Sequence, residues 1–188
     1  MVSIMSQLHR ELRETGQDAL GLTIDDWILA LLAYAGGVIR GKTRLQKALF
    51  ILNRLEEVYK QPIVPASFKP YDYGPWSPDV ERALERMREK GMVETYSEPT
   101  NGEEPVTVIK ASPEALERGR AVLDRLKETS AWQDIKARMH LAVHAPLLEL
   151  LWYVYDIWPE YTSNSLIRRR LRLWREKKLL YPTKSFIY

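Results

Sequence analysis

Only two stretches of this 188-residue chain read as β-strands, and they lie close enough to form a single hairpin. Residues 92–96 and 106–110 are separated by a polar turn containing Pro99, Asn101-Gly102 and Pro105. A chain so poor in strands cannot build the repeated strand–helix units of a parallel α/β sheet. The rest must fold mainly from helices.

Apolar residues spaced by three and four predict those helices at about 24–35, 42–60, 77–91, 112–128, 131–143, 146–158 and 163–179. Several carry their own start signals. Thr23 precedes Asp25 and Asp26, a capping residue followed by an acidic first turn. Ser77-Pro78 and Ser112-Pro113 each place a capping hydroxyl before a first-turn proline, and Gly91 suits a helix end. Residues 61–73 contain Pro62, Pro65 and Pro70 and read as extended. The central order is helix, helix, helix, hairpin, helix, which is the layout of a winged helix. The expected fold is mainly α with one small β-hairpin: an N-terminal arm or weak helix (1–21), a winged-helix-like domain (22–128) and a helical C-terminal extension (129–188).

One motif points elsewhere. Gly36-Gly37-Val38-Ile39-Arg40-Gly41-Lys42-Thr43 satisfies the phosphate-loop signature G-x-x-x-x-G-K-[ST]. Such a loop needs a strand before its first glycine, yet Ile24, Trp27, Ile28, Leu31 and Ala35 keep helical spacing up to that point. Residues 150–156 (LLWYVYD) mimic a strand ending in a magnesium-binding Asp, but they follow Pro146 and keep helical register. The signature is therefore expected to form a helix–turn–helix joint and not a nucleotide site.

The signature is continuous with Arg44-Leu45-Gln46-Lys47-Ala48-Leu49-Phe50, and a second stretch, Phe68-Lys69-Pro70-Tyr71-Asp72-Tyr73-Gly74-Pro75-Trp76-Ser77, follows it. Together they resemble a prokaryotic winged-helix-like family related to the Panacea (SocA-like) antitoxin domain and the YwgA-like proteins. That family pairs an L-Q-K helix with a downstream aromatic-x-Y-G-P segment. The resemblance extends over about residues 24–165 and includes Pro159-Glu160-Tyr161-Thr162 and Ser165. It implies a non-catalytic module used for DNA binding or for recognition of a partner or toxin protein.

Charge is distributed unevenly. Residues 164–188 hold eight Lys and Arg against one Glu, a balance of +7, whereas residues 1–163 hold 20 against 24, a balance of −4. A basic segment on an acidic body indicates an anionic partner. Arg168, Arg172 and Arg175 share one helix face, and Arg169, Lys177 and Lys178 add to it. Arg40, Lys42, Arg44 and Lys47 crowd a helix start, where the dipole disfavours cations unless an anion is shared. These ten residues are the expected nucleic-acid contacts of a dimeric regulator on duplex DNA. The helix at 77–91 is neutral, however, and the hairpin carries Glu94, Glu98, Glu103 and Glu104 without a cation between residues 92 and 109. The other expectation is a protein-interaction module. Tyr71, Tyr73 and Trp76 then either anchor the interface or pin a long loop to the core.

No cofactor is expected. Cysteine is absent, and His140 and His144 have no third ligand nearby in sequence. No serine sits in a nucleophile-elbow motif, so the chain does not read as an enzyme. The lack of cysteine, of a signal peptide and of any apolar run near 18 residues gives a cytoplasmic expectation with no membrane span.

Overall fold

The computed structural model describes residues 20–60, 63–100 and 104–176. The chain is mostly helical with a small antiparallel sheet. Helix α1 (Ile24–Tyr34) leads into strand β1 (Val38–Arg40), helix α2 (Lys42–Asn53) and a single turn, α3 (Glu56–Tyr59). Strands β2 (Lys69–Tyr71) and β3 (Gly74–Trp76) precede helix α4 (Pro78–Glu89). Strands β4 (Val93–Glu98) and β5 (Val106–Ala111) follow, then helices α5 (Pro113–Lys127), α6 (Trp132–His144), α7 (Leu147–Ile157) and α8 (Arg168–Glu176).

The local signals act as expected. Thr23 and Asp26 form a reciprocal capping box on α1. Ser77 accepts from the Asp79 N–H, and Ser112 accepts from the Ala115 N–H. At Gly91 the chain leaves α4, and the Met92 N–H bonds back to the Met87 carbonyl.

The expectation of one small hairpin needs correction. Strand β1 pairs with β5, giving a three-stranded sheet in the order β1-β5-β4. Its register sets Ile39 opposite Ile109. A second antiparallel pair also forms, with β2 inside the stretch read as extended (61–73) and β3 just after it. Both were hidden by length: each added strand has three residues, and Pro70 and Pro75 interrupt the second pair. The helix expected over 42–60 also ends early, at Asn53, before the short turn α3.

One apolar core joins all the helices from α1 to α7 except the short α3. Trp27, Phe50, Met87, Leu126, Met139 and Val154 belong to it and are fully buried. The boundary expected near residue 128 therefore does not divide the core. Helices α1 and α5 approach each other closely at Gly119. A Cβ there would lie 2.3 Å from the Leu29 carbonyl oxygen and 3.0 Å from Ala33 Cβ. We predict that Gly119→Ala costs about 2 kcal/mol through overpacking, although alanine is the better helix former. Denaturant unfolding checks this, and an unchanged midpoint would contradict the close approach.

Among the described residues, no helix is long and apolar enough to cross a membrane. Residues 1–19, most of the expected N-terminal arm, lie outside those described, as do residues 177–188.

Candidate functional site

The middle of the phosphate-loop signature is a strand, and its Lys42 and Thr43 open helix α2. Its residues Val38–Arg40 are in the ladder with β5. The Gly41 N–H donates to the Thr107 carbonyl at 2.8 Å, and the Gly37 carbonyl accepts from the Ala111 N–H at 2.9 Å. A phosphate cradle needs successive N–H groups turned toward one anion. Here this backbone is committed to the sheet.

The four cations around the signature have different fates. Arg40 is exposed and pairs with Glu98 on β4 at 3.0 Å. Lys42 pairs with Glu81 on α4 at 3.2 Å. Arg44 turns toward the end of α6, where its guanidinium donates to the Ala142 and Ala145 carbonyls at 2.7 and 2.8 Å. These are carbonyls near the end of a helix, where acceptors run out of intrahelical donors and favour a cation. Burial lowers the proton affinity of Arg44 from its ordinary value. Lys47 is only 2% exposed, and its Nζ donates to the Pro75 carbonyl at 2.9 Å. The expected group of four does not converge on one surface: Arg44 turns to the end of α6 and Lys47 is buried toward β3, because α2 packs against α6, α7 and β3.

The neighbouring Gln46 explains why the two motifs occur together. Its Oε1 accepts from the Ser77 N–H at 2.9 Å, and its Nε2 donates to the Ser77 carbonyl at 3.1 Å. Nε2 also reaches Glu81 Oε1 at 3.0 Å. The amide thus binds the main chain of Ser77 as a neighbouring strand would, while Lys47 binds the carbonyl two residues earlier. The L-Q-K stretch and the Y-G-P-W-S stretch hold each other.

Between them lies a cavity of about 150 Å³ lined by Lys42, Thr43, Lys47, Tyr73, Trp76 and Glu81, with Tyr71 and Gln46 also on its wall. Residues assigned from sequence to two different ligands, DNA and a protein partner, therefore meet in one place. Tyr71 and Tyr73 are each 48% exposed. Tyr71 packs on Trp76 with ring centroids 5.1 Å apart, and Lys69 Nζ lies 5.2 Å from the Trp76 centroid. The hairpin is braced from behind by α7. Gly74 has φ 85°, and a Cβ on it would meet Tyr155 Cε1 at 2.7 Å, so glycine is required on both counts. Tyr155 in turn shares a 2.6 Å hydrogen bond with Ser165, and the Leu166 N–H donates to the Asp72 carbonyl at 2.9 Å. Sequence reasoning gave no role to Tyr155, Asp72 or Leu166; the glycine between two exposed aromatics was the available signal.

The basic helix α8 presents Arg168, Arg169 and Arg172 to solvent while Leu171 is buried. None of these three arginines forms an ion pair with a described residue. The side chain of Arg175, with Lys177 and Lys178, lies outside the described residues. On α4, by contrast, Arg82 pairs with Asp79, Arg86 with Asp25 and Arg88 with Glu85. A larger open cleft of about 540 Å³ borders α4 and includes Arg54, Arg82 and Arg86. All three are already paired with carboxylates, Arg54 through Glu57, so the smaller cavity is the better candidate.

The sequence matches no protein-family model, and no curated protein is significantly similar to it.

Proposed function

We propose that this protein is a winged-helix-like recognition module that docks a partner protein on the Tyr71–Trp76 hairpin. The winged-helix reading is supported by the order helix, strand, helix, helix, hairpin, with the first strand against the last. Partner recognition agrees with the resemblance to Panacea-type antitoxins. The observation that carries it is the exposure of Tyr71 and Tyr73 beside a cavity, while Arg44 is turned into the protein and Lys47 is buried at the cavity wall. Half-exposed tyrosines offer large contact area at low entropic cost and are frequent interface anchors.

The test is affinity capture from the cells that produce the protein. A specific partner should co-purify in stoichiometric amount, resist high salt, and be lost with Tyr73→Ala, which leaves every hydrogen bond described above intact. Failure to retain any stoichiometric protein would sink this reading.

A second reading has its own support: the unpaired face of Arg168, Arg169 and Arg172 is suited to phosphates. On that reading the protein binds duplex DNA. Binding would weaken steeply with salt, and the double variant Arg168→Ala/Arg172→Ala would lower the log–log salt slope by about 2. A salt-titrated mobility shift separates the two readings.

A further inference from the structure

Lys47 occupies an unusual position for a charged side chain. It is 2% exposed and borders a cavity, yet the Pro75 carbonyl is its sole hydrogen-bond partner among the described residues. A protonated lysine has three donors. Two of them therefore have no acceptor among the described residues, and the side chain borders a cavity that an acceptor can enter.

The charges on the cavity wall define what fits. Glu81 contributes one negative charge, but its two oxygens are taken by Lys42 and Gln46. Lys42 contributes one positive charge and Lys47 a second when protonated. Thr43, Gln46, Tyr71, Tyr73, Gly74 and Trp76 form the rest of the wall and add no formal charge. The balance with Lys47 protonated is +1, which a monoanion neutralises and a dianion oversteps. The volume, about 150 Å³, equals about five waters and suits a short side chain. The aromatic walls can cover an aliphatic stem.

We propose that the cavity is a carboxylate site that receives one Asp or Glu side chain of the partner protein, held by Lys47 and Lys42. This rests on the hairpin being the docking surface. The carboxylate supplies the acceptor that the two unused Lys47 donors lack. Burial lowers the Lys47 amine to about 7, so part of the population is neutral under ordinary conditions. Binding then takes up a proton: the carboxylate, the neutral amine and one proton combine into a carboxylate–ammonium pair. The titratable groups facing Lys47 across the cavity are Lys42, Glu81, Tyr71 and Tyr73. Of these, Lys42 and Glu81 are paired with each other.

The probe is acetate, added to the full chain with ¹³Cε-labelled lysine. The Lys47 resonance is followed through a pH titration. Acetate should raise the proton affinity of Lys47 about tenfold or more, as a close carboxylate does. Acetamide and equal concentrations of sodium chloride should leave it unmoved. Lys42→Met should weaken the acetate effect while keeping the Lys47 signal. Lys47→Met should abolish the rise in thermal midpoint that acetate gives the wild-type protein. If Lys47→Met does not fold, the wild-type titration and Lys42→Met decide alone. A Lys47 midpoint indifferent to acetate, or one moved as far by chloride or further by inorganic phosphate, would overturn the proposal. A partner captured through Tyr73 without any acetate effect would remove the carboxylate site and keep the docking surface. An acetate effect with no captured partner would keep the site and remove that partner.

Discussion

Gln46→Leu is expected to destabilise the protein by roughly 3 kcal/mol, although it exchanges one buried side chain for another of similar size. Leucine would fill the space, so the loss is not a cavity effect. It arises because Gln46 satisfies both polar groups of one peptide unit, the N–H and the carbonyl of Ser77. Ser77 is fully buried, so water cannot replace the lost partners. The Ser77 carbonyl keeps the Glu81 N–H at 3.4 Å, so the group left stranded is the Ser77 N–H, at about 1–3 kcal/mol, with the lost bond to the carbonyl adding about 1 kcal/mol. Glu81 also loses a donor, but it is partly exposed and water compensates it. Gln46→Glu should be similarly damaging, since a carboxylate cannot donate to the Ser77 carbonyl and would face Glu81. Equilibrium denaturation measures both variants. A loss under about 1 kcal/mol for Gln46→Leu would mean that the clasp is not a stabilising element.

The second large effect is on the pH dependence of stability. Lys47 ordinarily titrates at 10.5, and burial brings it down to about 7. The unfolded chain therefore keeps this proton up to 10.5, whereas the native protein releases it near 7. Between those values the unfolded state binds more protons, so stability rises with pH across that window. Below about 7 both states carry the proton and the burial penalty is complete. The contribution reaches about 1.4 kcal/mol per pH unit. Tyr34 and Tyr155 act in the opposite direction, because burial raises both above 10.0. Their stabilisation is present below 10.0 and is lost as pH rises past it. Unfolding free energies measured from pH 7 to about pH 9 isolate the lysine. Lys47→Met should flatten the profile there and raise stability at the acidic end. A profile unchanged by Lys47→Met would contradict burial of the charge.

Much of the fold was legible where a feature is set by neighbours in sequence. The caps at Thr23, Ser77 and Ser112, the helix end at Gly91 and the β4–β5 hairpin all depend on residues within a few positions. Strand β1 was not legible, since its partners lie about seventy residues away and only Val38-Ile39 hints at extended chain. Pairing of β2 with β3 was obscured by two prolines that each remove a donor. The site was half legible. Sequence picked out Lys42, Lys47, Tyr71, Tyr73 and Trp76, but assigned them to separate ligands. A count of cations cannot tell that Arg44 faces helix-end carbonyls or that Lys47 is buried. Those directions follow from how α2 packs against later elements, and helical periodicity describes each element alone.

The clasp between α2 and the hairpin has one more implication. On the segment that carries the hairpin, Gln46 and Lys47 grip main-chain atoms, the carbonyl of Pro75 and the peptide groups of Ser77. Nothing in that grip depends on the indole of Trp76 or the rings of Tyr71 and Tyr73. The scaffold is thus anchored through atoms every residue shares, while the side chains beside it are left to diversify. On the proposed docking reading, such a surface can be retargeted to a new binding partner by exchanging aromatics, without rebuilding the architecture that displays them.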